Sequence, residues 1–189
     1  MQHAAHRHTQ PRTVAFAHPP RNVTALSVEP GMAVADFGAG SGHYVMEIAQ
    51  RLANIGHVYA IDVQRDLLQR IKNEAHRRGF KNVEVIWADL EEADASKIAD
   101  GKIDLVLVSN LLFQVPDKIM ILREAVRILR PHGRCAIIDW SESFGGMGPQ
   151  KGDVVTKDAA LALARSVGLA FEKEFSAGAH HYGLLFTRS

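Results

Sequence analysis

Apolar residues in this chain fall in short runs, and the runs alternate with stretches of helical spacing. Residues 32–37 form one such run and predict a first strand. Residues 44–53 carry Val45, Ile48, Ala49 and Leu52 at the spacing of a helix with one face on a sheet. His57–Asp62 reads as a second strand. Residues 65–78 read as a helix with Leu67, Leu68, Ile71 and Ala75 on one face, closed by Gly79. Residues 82–87 form a third strand, and residues 91–99 fit a short helix. Residues 102–109 are almost continuously apolar, as in a strand covered on both faces in the middle of a parallel sheet. A loop over 110–115 follows at that strand's carboxyl end. Pro116 opens a helix whose buried face is predicted as Ile119, Leu122, Val126 and Leu129, and Pro131, His132 and Gly133 stop it. Residues 134–140 form a fifth strand.

The rhythm then changes. Residues 141–152 are a loop holding Gly145, Gly146, Gly148 and Pro149. Residues 156–167 are a helix with Thr156 as N-cap and Gly168 after it. Residues 169–176 and 180–187 read as two strands around a short turn at 177–179. The repeated strand–helix order predicts an α/β fold with helices on both faces of one sheet, because parallel crossovers are right-handed.

The chain has 189 residues, enough for one domain with a full core. Its formal net charge of +1 gives no electrostatic footprint for nucleic acid. No apolar stretch approaches the ~20 residues of a membrane span, and no signal-peptide pattern opens the chain. The single cysteine, Cys135, excludes an internal disulfide and fits a reducing, cytoplasmic setting. It lies in an apolar run, as a buried structural thiol does. Residues 1–20 are polar and are expected to be a flexible tail, leaving residues 21–189 as the folded domain. His3, His6 and His8 in that tail could ligate a metal only by paying its ordering entropy, so no metal site is expected. Residues 21–28 read as a short helix or turn, and Pro30 and Gly31 as a turn before the first strand.

Chemistry concentrates at residues 34–44, VADFGAGSGHY. A strand meets a glycine-rich turn and a helix starts at once, the layout by which a parallel sheet offers backbone N–H groups to a ligand. A dinucleotide fingerprint needs G-x-G-x-x-G, but here the third glycine, Gly42, comes one residue early. That spacing weakens the reading as an NAD-dependent oxidoreductase. Asp62 ends the second strand 22 residues past Gly40, near the separation at which an acid reaches a ribose. Asp89 and Asn110 stand after the third and fourth strands. Each has a local alternative: a cap or surface acid for Asp62, a turn cap for Asp89, a loop-satisfying amide for Asn110. Jointly they mark the edge where open α/β sheets bind ligands.

Asp36-x-Gly38-x-Gly40-x-Gly42 resembles the first motif of the class I S-adenosylmethionine-dependent methyltransferases. The likeness extends from about Val23 to Arg188, and is greatest to the ubiquinone/menaquinone-biosynthesis-like branch. Residues 122–133 (LREAVRILRPHG) resemble that family's passage from helix to strand. The resemblance implies a three-layer Rossmann-like sandwich with a seven-stranded, mostly parallel sheet and an antiparallel last strand. It implies S-adenosylmethionine as donor and S-adenosylhomocysteine as product. Asp36 and the backbone of Gly38, Ala39, Gly40 and Gly42 would hold the methionine portion. Asp62 would take the ribose hydroxyls, with Val63 on the adenine. Asp89 would meet the adenine amino group and the Leu90 N–H its ring nitrogen. Asn110 and Leu111 would lie beneath the methionyl and sulfonium region. The short segment before the first strand predicts no large substrate-recognition lid, and no long insertion follows the fifth strand.

The implied reaction is methyl transfer by in-line displacement to a small, apolar or aromatic acceptor. Positioning can supply effective molarities of roughly 10⁵–10⁸ M, so no metal or nucleophile is needed. A general base is needed only when the acceptor must lose a proton. His18, His43, Asp139 and His181 are the candidates, each with an ordinary surface or packing role as its alternative. Tyr44, Phe113 and Trp140 could face a sulfonium through cation–π contact or simply fill the core. The glycine-rich loop 144–152 is either a gate over the acceptor pocket or a plain connection. Two other readings stand beside the small-molecule enzyme: a non-catalytic donor-binding interaction protein, and a protein or RNA methyltransferase. These motifs leave the acceptor's identity and the oligomeric state open.

Overall fold

The computed structural model describes residues 17–189. The histidines His3, His6 and His8 lie outside the described residues. The chain runs α1 (Pro19–Ala25), β1 (Ala33–Phe37), α2 (His43–Leu52), β2 (His57–Asp62), α3 (Arg65–Arg77), β3 (Val83–Trp87) and β4 (Ile103–Ser109). It continues through α4 (Lys118–Ile128), β5 (Leu129–Trp140), α5 (Lys157–Ser166), β6 (Leu169–Gly178) and β7 (His181–Arg188). The seven strands make one sheet in the order β3-β2-β1-β4-β5-β7-β6. Neighbours among β1 to β5 are parallel, and β7 is antiparallel to both β5 and β6. The expected antiparallel last strand is therefore present, and it sits inside the sheet rather than at its edge.

Strand parity divides the core in two. Val34 of β1 and Leu105 and Leu107 of β4 pack with α1, α2 and α3. Ala35, Phe37, Val106 and Val108 face the other way, onto α4 and α5. Three layers result, and β1 and β4 are covered on both faces, which is why their sequences run apolar without alternation. Asp36 shares the parity of Val34, so its carboxyl turns to the α2 side. Cys135 is fully buried in β5, and burial pushes its thiol up to about 12.

Local sequence explains most boundaries. Pro19 and Pro20 occupy the first turn of α1, where a missing N–H is harmless. Thr156 caps α5 by accepting from the Ala159 N–H at 3.2 Å.

Two expectations need correction. Residues 91–99 form turns, not a helix, with Asp94 and Lys97 at positive φ of 52° and 56°. Arg127 of α4 holds this segment, pairing with Asp94 at 3.0 Å and Asp100 at 2.6 Å and donating to the Ile98 carbonyl. The Ser96 hydroxyl and N–H meanwhile bind the buried Glu124 carboxylate. In α4 the N-cap is Asp117, and the buried face is Ile121, Leu122, Ala125 and Ile128. Ile119, expected inside, is 37% exposed, Val126 is half-buried, and Leu129 has left the helix to begin β5. Apolar residues at every position from 119 to 122 offer two overlapping faces, and packing on the sheet selects one.

Candidate active site

The carboxyl ends of β1, β2, β3 and β4 and the segments after them line two adjoining cavities. The larger, about 530 Å³, is lined by Asp36, Gly38, Ala39, Gly40, His43, Tyr44, Glu47 and Asn110, with Pro19 and Pro20 of α1 at its rim. The smaller, about 370 Å³, is lined by Gly38, Gly40, Asp62, Val63, Asp89, Leu90 and Leu111. Ten of the eleven expected donor-contacting residues thus line these cavities. The eleventh, Gly42, supports their floor. It caps α2 at φ 79°, and a Cβ there would sit 2.6 Å from Ile71 Cγ1, so the approach of α3 to this turn requires glycine.

Asp62 does more than close β2. Its Oδ2 accepts from the Gly40 N–H and its Oδ1 from the Gln64 N–H, both at 2.8 Å. The carboxylate pins the glycine turn to β2 and also lines the smaller cavity. Nothing in the sequence spacing signals this second duty. Asp89 is exposed and accepts from the Glu91 N–H at 3.0 Å, so its turn-capping reading holds alongside its place at the cavity. Val63 is exposed, and its carbonyl accepts from Trp87 Nε1 at 2.9 Å. The Arg65 guanidinium lies 3.8 Å over the Trp87 ring. No spacing in the sequence marks Trp87 or Arg65, each of which stands at an ordinary element end.

Asp36 is the exceptional group. Its side chain is buried, and neither carboxylate oxygen has a hydrogen-bond partner among the described residues. Burial, with Asp62 adding repulsion, pushes its pKa up to about 8. A buried carboxyl with both oxygens bare is costly unless something completes it. Beside it, the Tyr44 hydroxyl accepts from Asn22 Nδ2 at 2.7 Å, and Asn22 also donates to the Ala177 carbonyl. This ties α1 and β6 to the cavity wall.

The four general-base candidates separate clearly. His18 caps α1, accepting from the Arg21 N–H at 3.4 Å, and lines neither cavity. His43 is exposed on the first turn of α2 and lines the larger one. Asp139 is buried in β5, lines neither, and accepts from its neighbour's N–H, with burial lifting its pKa to about 6. His181 lines neither, but Nε2 lies 3.0 Å from Oδ1 of Asn110, which does. Of the aromatic candidates, Tyr44 lines the larger cavity, Phe113 packs against the α4 core, and Trp140 lies against His181 with ring centroids 4.4 Å apart and the planes tilted by 41°. No residue of the loop 144–152 lines either cavity. Gly148 lies against Trp140, where a Cβ would sit 2.4 Å from the indole, and Phe144 stacks on His180 at 3.8 Å. The loop therefore covers the Trp140 end of the sheet.

The profile of a methyltransferase domain family matches residues 28–175, most of the chain and all eleven of the expected donor-contacting residues. The chain belongs to this methyltransferase domain family. The methyltransferase domain is 35% identical over 114 residues to an arsenite methyltransferase of Aquipseudomonas alcaligenes, covering 58% of this chain and 33% of that protein. It is 29% identical over 117 residues to a demethylmenaquinone methyltransferase of Listeria welshimeri, covering 62% of this chain and 48% of that one. The chain thus spans between a third and a half of the length of these curated relatives. Among solved structures, a SAM-dependent methyltransferase from Aquifex aeolicus superposes with TM-score 0.84 at 23% identity, covering 95% of this chain and 94% of that one. An arsenic(III) methyltransferase from Chlamydomonas reinhardtii superposes with TM-score 0.68 at 20% identity, covering 92% and 74%. These structures share the fold of the methyltransferase domain.

Proposed function

We propose that this chain is an S-adenosylmethionine-dependent methyltransferase acting on a small, apolar or aromatic acceptor. The observation that carries the reading is Asp36, a buried carboxyl with both oxygens bare at the wall of a glycine-lined cavity. Such a group is completed by a cation, and the donor's methionyl end carries an ammonium beside its sulfonium. S-adenosylmethionine supplies a methyl group already activated for in-line displacement. The chain's own task is to hold and orient. Asp36 and the backbone of Gly38, Ala39, Gly40 and Gly42 take the methionyl end. Asp62 offers its carboxylate to the ribose, and Val63, Asp89 and Leu90 frame the adenine. Asn110 and Leu111 lie under the sulfonium.

The relatives named above act on different acceptors. A soft, thiophilic acceptor such as arsenite calls for thiolates at the site. The one cysteine of this chain is buried in β5 with its thiol pushed up to about 12. The demethylmenaquinone-like acceptor, an apolar aromatic ring, fits Pro19, Pro20 and Tyr44 at the larger cavity better. Among the described residues no helix is long and apolar enough to cross a membrane, and the buried thiol suits a reducing cytoplasm.

Calorimetric titration with S-adenosylmethionine, S-adenosylhomocysteine and NAD tests the donor. Both sulfur ligands should bind and NAD should not. Asp62→Asn should weaken both by about tenfold or more, the loss of charge-assisted hydrogen bonds. NAD binding, or no binding of either sulfur ligand, overturns the assignment. Turnover of hydroxylated naphthoquinols, with none of arsenite, would support the acceptor class.

A further inference from the structure

His181 opens β7 and Asn110 closes off β4, 71 residues earlier in the chain. The sheet brings them together, since β5 lies between these strands and Trp140 pairs with His181 across the β5–β7 ladder. The imidazole is buried at 8% exposure, with its ring on the Trp140 indole. Both ring nitrogens are engaged: Nδ1 lies 3.0 Å from the Ala179 carbonyl oxygen and Nε2 3.0 Å from Asn110 Oδ1. The Asn110 backbone is fixed. It sits at φ 52°, its N–H donates to the Ile138 carbonyl at 2.8 Å, and its carbonyl accepts from Gln114. Only its amide can turn.

We propose that His181 is a positioning residue that decides which end of the Asn110 amide meets the donor. This rests on reading the larger cavity as the donor site. A carbonyl oxygen can only accept, so Nδ1 carries a proton. In the neutral ring Nε2 is then an acceptor, and Asn110 must give it the NH₂ group. In that state the amide is turned over from the orientation this structure holds, and its oxygen faces the cavity, where it favours a sulfonium and its polarised methyl hydrogens. In the protonated ring Nε2 donates to Oδ1, the orientation this structure holds, and NH₂ with a buried cation behind it faces the donor. Burial lowers the His181 pKa from its ordinary value, which favours the neutral ring near neutrality. The charged or titratable groups around His181 are few. His180 is its chain neighbour and binds Glu142. The Lys157–Glu174 pair from α5 and β6, with Tyr182, borders the hollow that His181 also lines. Asp139 of β5 pairs with Tyr182 in the ladder. The β4 end contributes only the uncharged Ser109 and Asn110.

The test compares S-adenosylmethionine with S-adenosylhomocysteine, whose sulfur is uncharged. Asp36 faces the ammonium common to both, so its own titration cancels in the ratio of the two affinities. In the wild-type chain that ratio should fall by about tenfold between about pH 7.5 and pH 5, the equivalent of one pKa unit of coupling. His181→Gln keeps a hydrogen-bonding side chain but does not titrate, and its ratio should stay flat. The same fall in His181→Gln overturns the proposal. A second readout needs no ligand: the Asn110 side-chain amide resonances, identified by their loss in Asn110→Asp, should move with the His181 ring as pH falls. Amide resonances indifferent to that titration overturn it as well. A wild-type chain that binds neither sulfur ligand overturns the functional reading alone, and the amide resonances then still decide the role of His181.

Discussion

Asp36 stores a pH dependence that can be measured without any ligand. Its folded pKa of about 8 lies above the ordinary carboxyl value of 3.8. Between those values the folded chain keeps a proton that the unfolded chain has lost, so stability falls as pH rises through that window. Asp139, at about 6, acts in the same direction over the lower half. Asp36→Asn should remove the larger part of this slope. Urea midpoints of the wild type should drop from pH 5 to pH 8, and those of Asp36→Asn should drop less while donor affinity is lost. Parallel slopes would mean that Asp36 is ionised when folded. At this scale the sequence was legible where chemistry follows a local pattern, as with Asp36, Asp62 and the glycines. It was silent on the Asn110–His181 contact, which no spacing encodes, and on the pinning of Gly40 by Asp62, which depends on how the turn curves back.

Elements were read from the rhythm of apolar residues, and that rhythm fails where it is degenerate. Helix α4 offers Ile119, Met120, Ile121 and Leu122 in succession, and packing on the sheet, absent from the sequence, chooses among them. The consequence is a paired prediction for chemical denaturation. Ile121→Ala should cost about 2–5 kcal/mol by opening a cavity, whereas Ile119→Ala should stay within about 0.5 kcal/mol as a surface change. Similar losses would restore the face expected from the periodicity. The missing helix at 91–99 has a different cause. Arg127, Glu124 and Ser96 build a polar network that outweighs local propensity and holds Asp94 and Lys97 in left-handed conformations a helix cannot contain.

For the whole molecule, order along the chain and order in the sheet agree until the end. Strands β1 to β5 make the parallel part, and β7 then passes between β5 and β6. The sequence showed two strands after the last helix but not which would lie inside, since both follow a turn and both carry aromatics. Burial separates them: β7 is buried from His181 to Phe186, whereas β6 is exposed from Ala170 to Glu174. The outer strand's Glu172, Lys173 and Glu174 keep that edge from recruiting another strand. Deleting residues 181–188 should therefore bare the apolar edge of β5 and give an insoluble chain, scored by sedimentation of the expressed protein. A soluble, folded truncation would contradict this placement. Synthesis meets the same arrangement in time. A growing chain finishes β6 before its only partner strand exists, so β5 and β6 wait with open edges while the rest of the sheet has already formed. Until β7 emerges to close the gap, the nascent chain is at its most vulnerable to pairing with a neighbour.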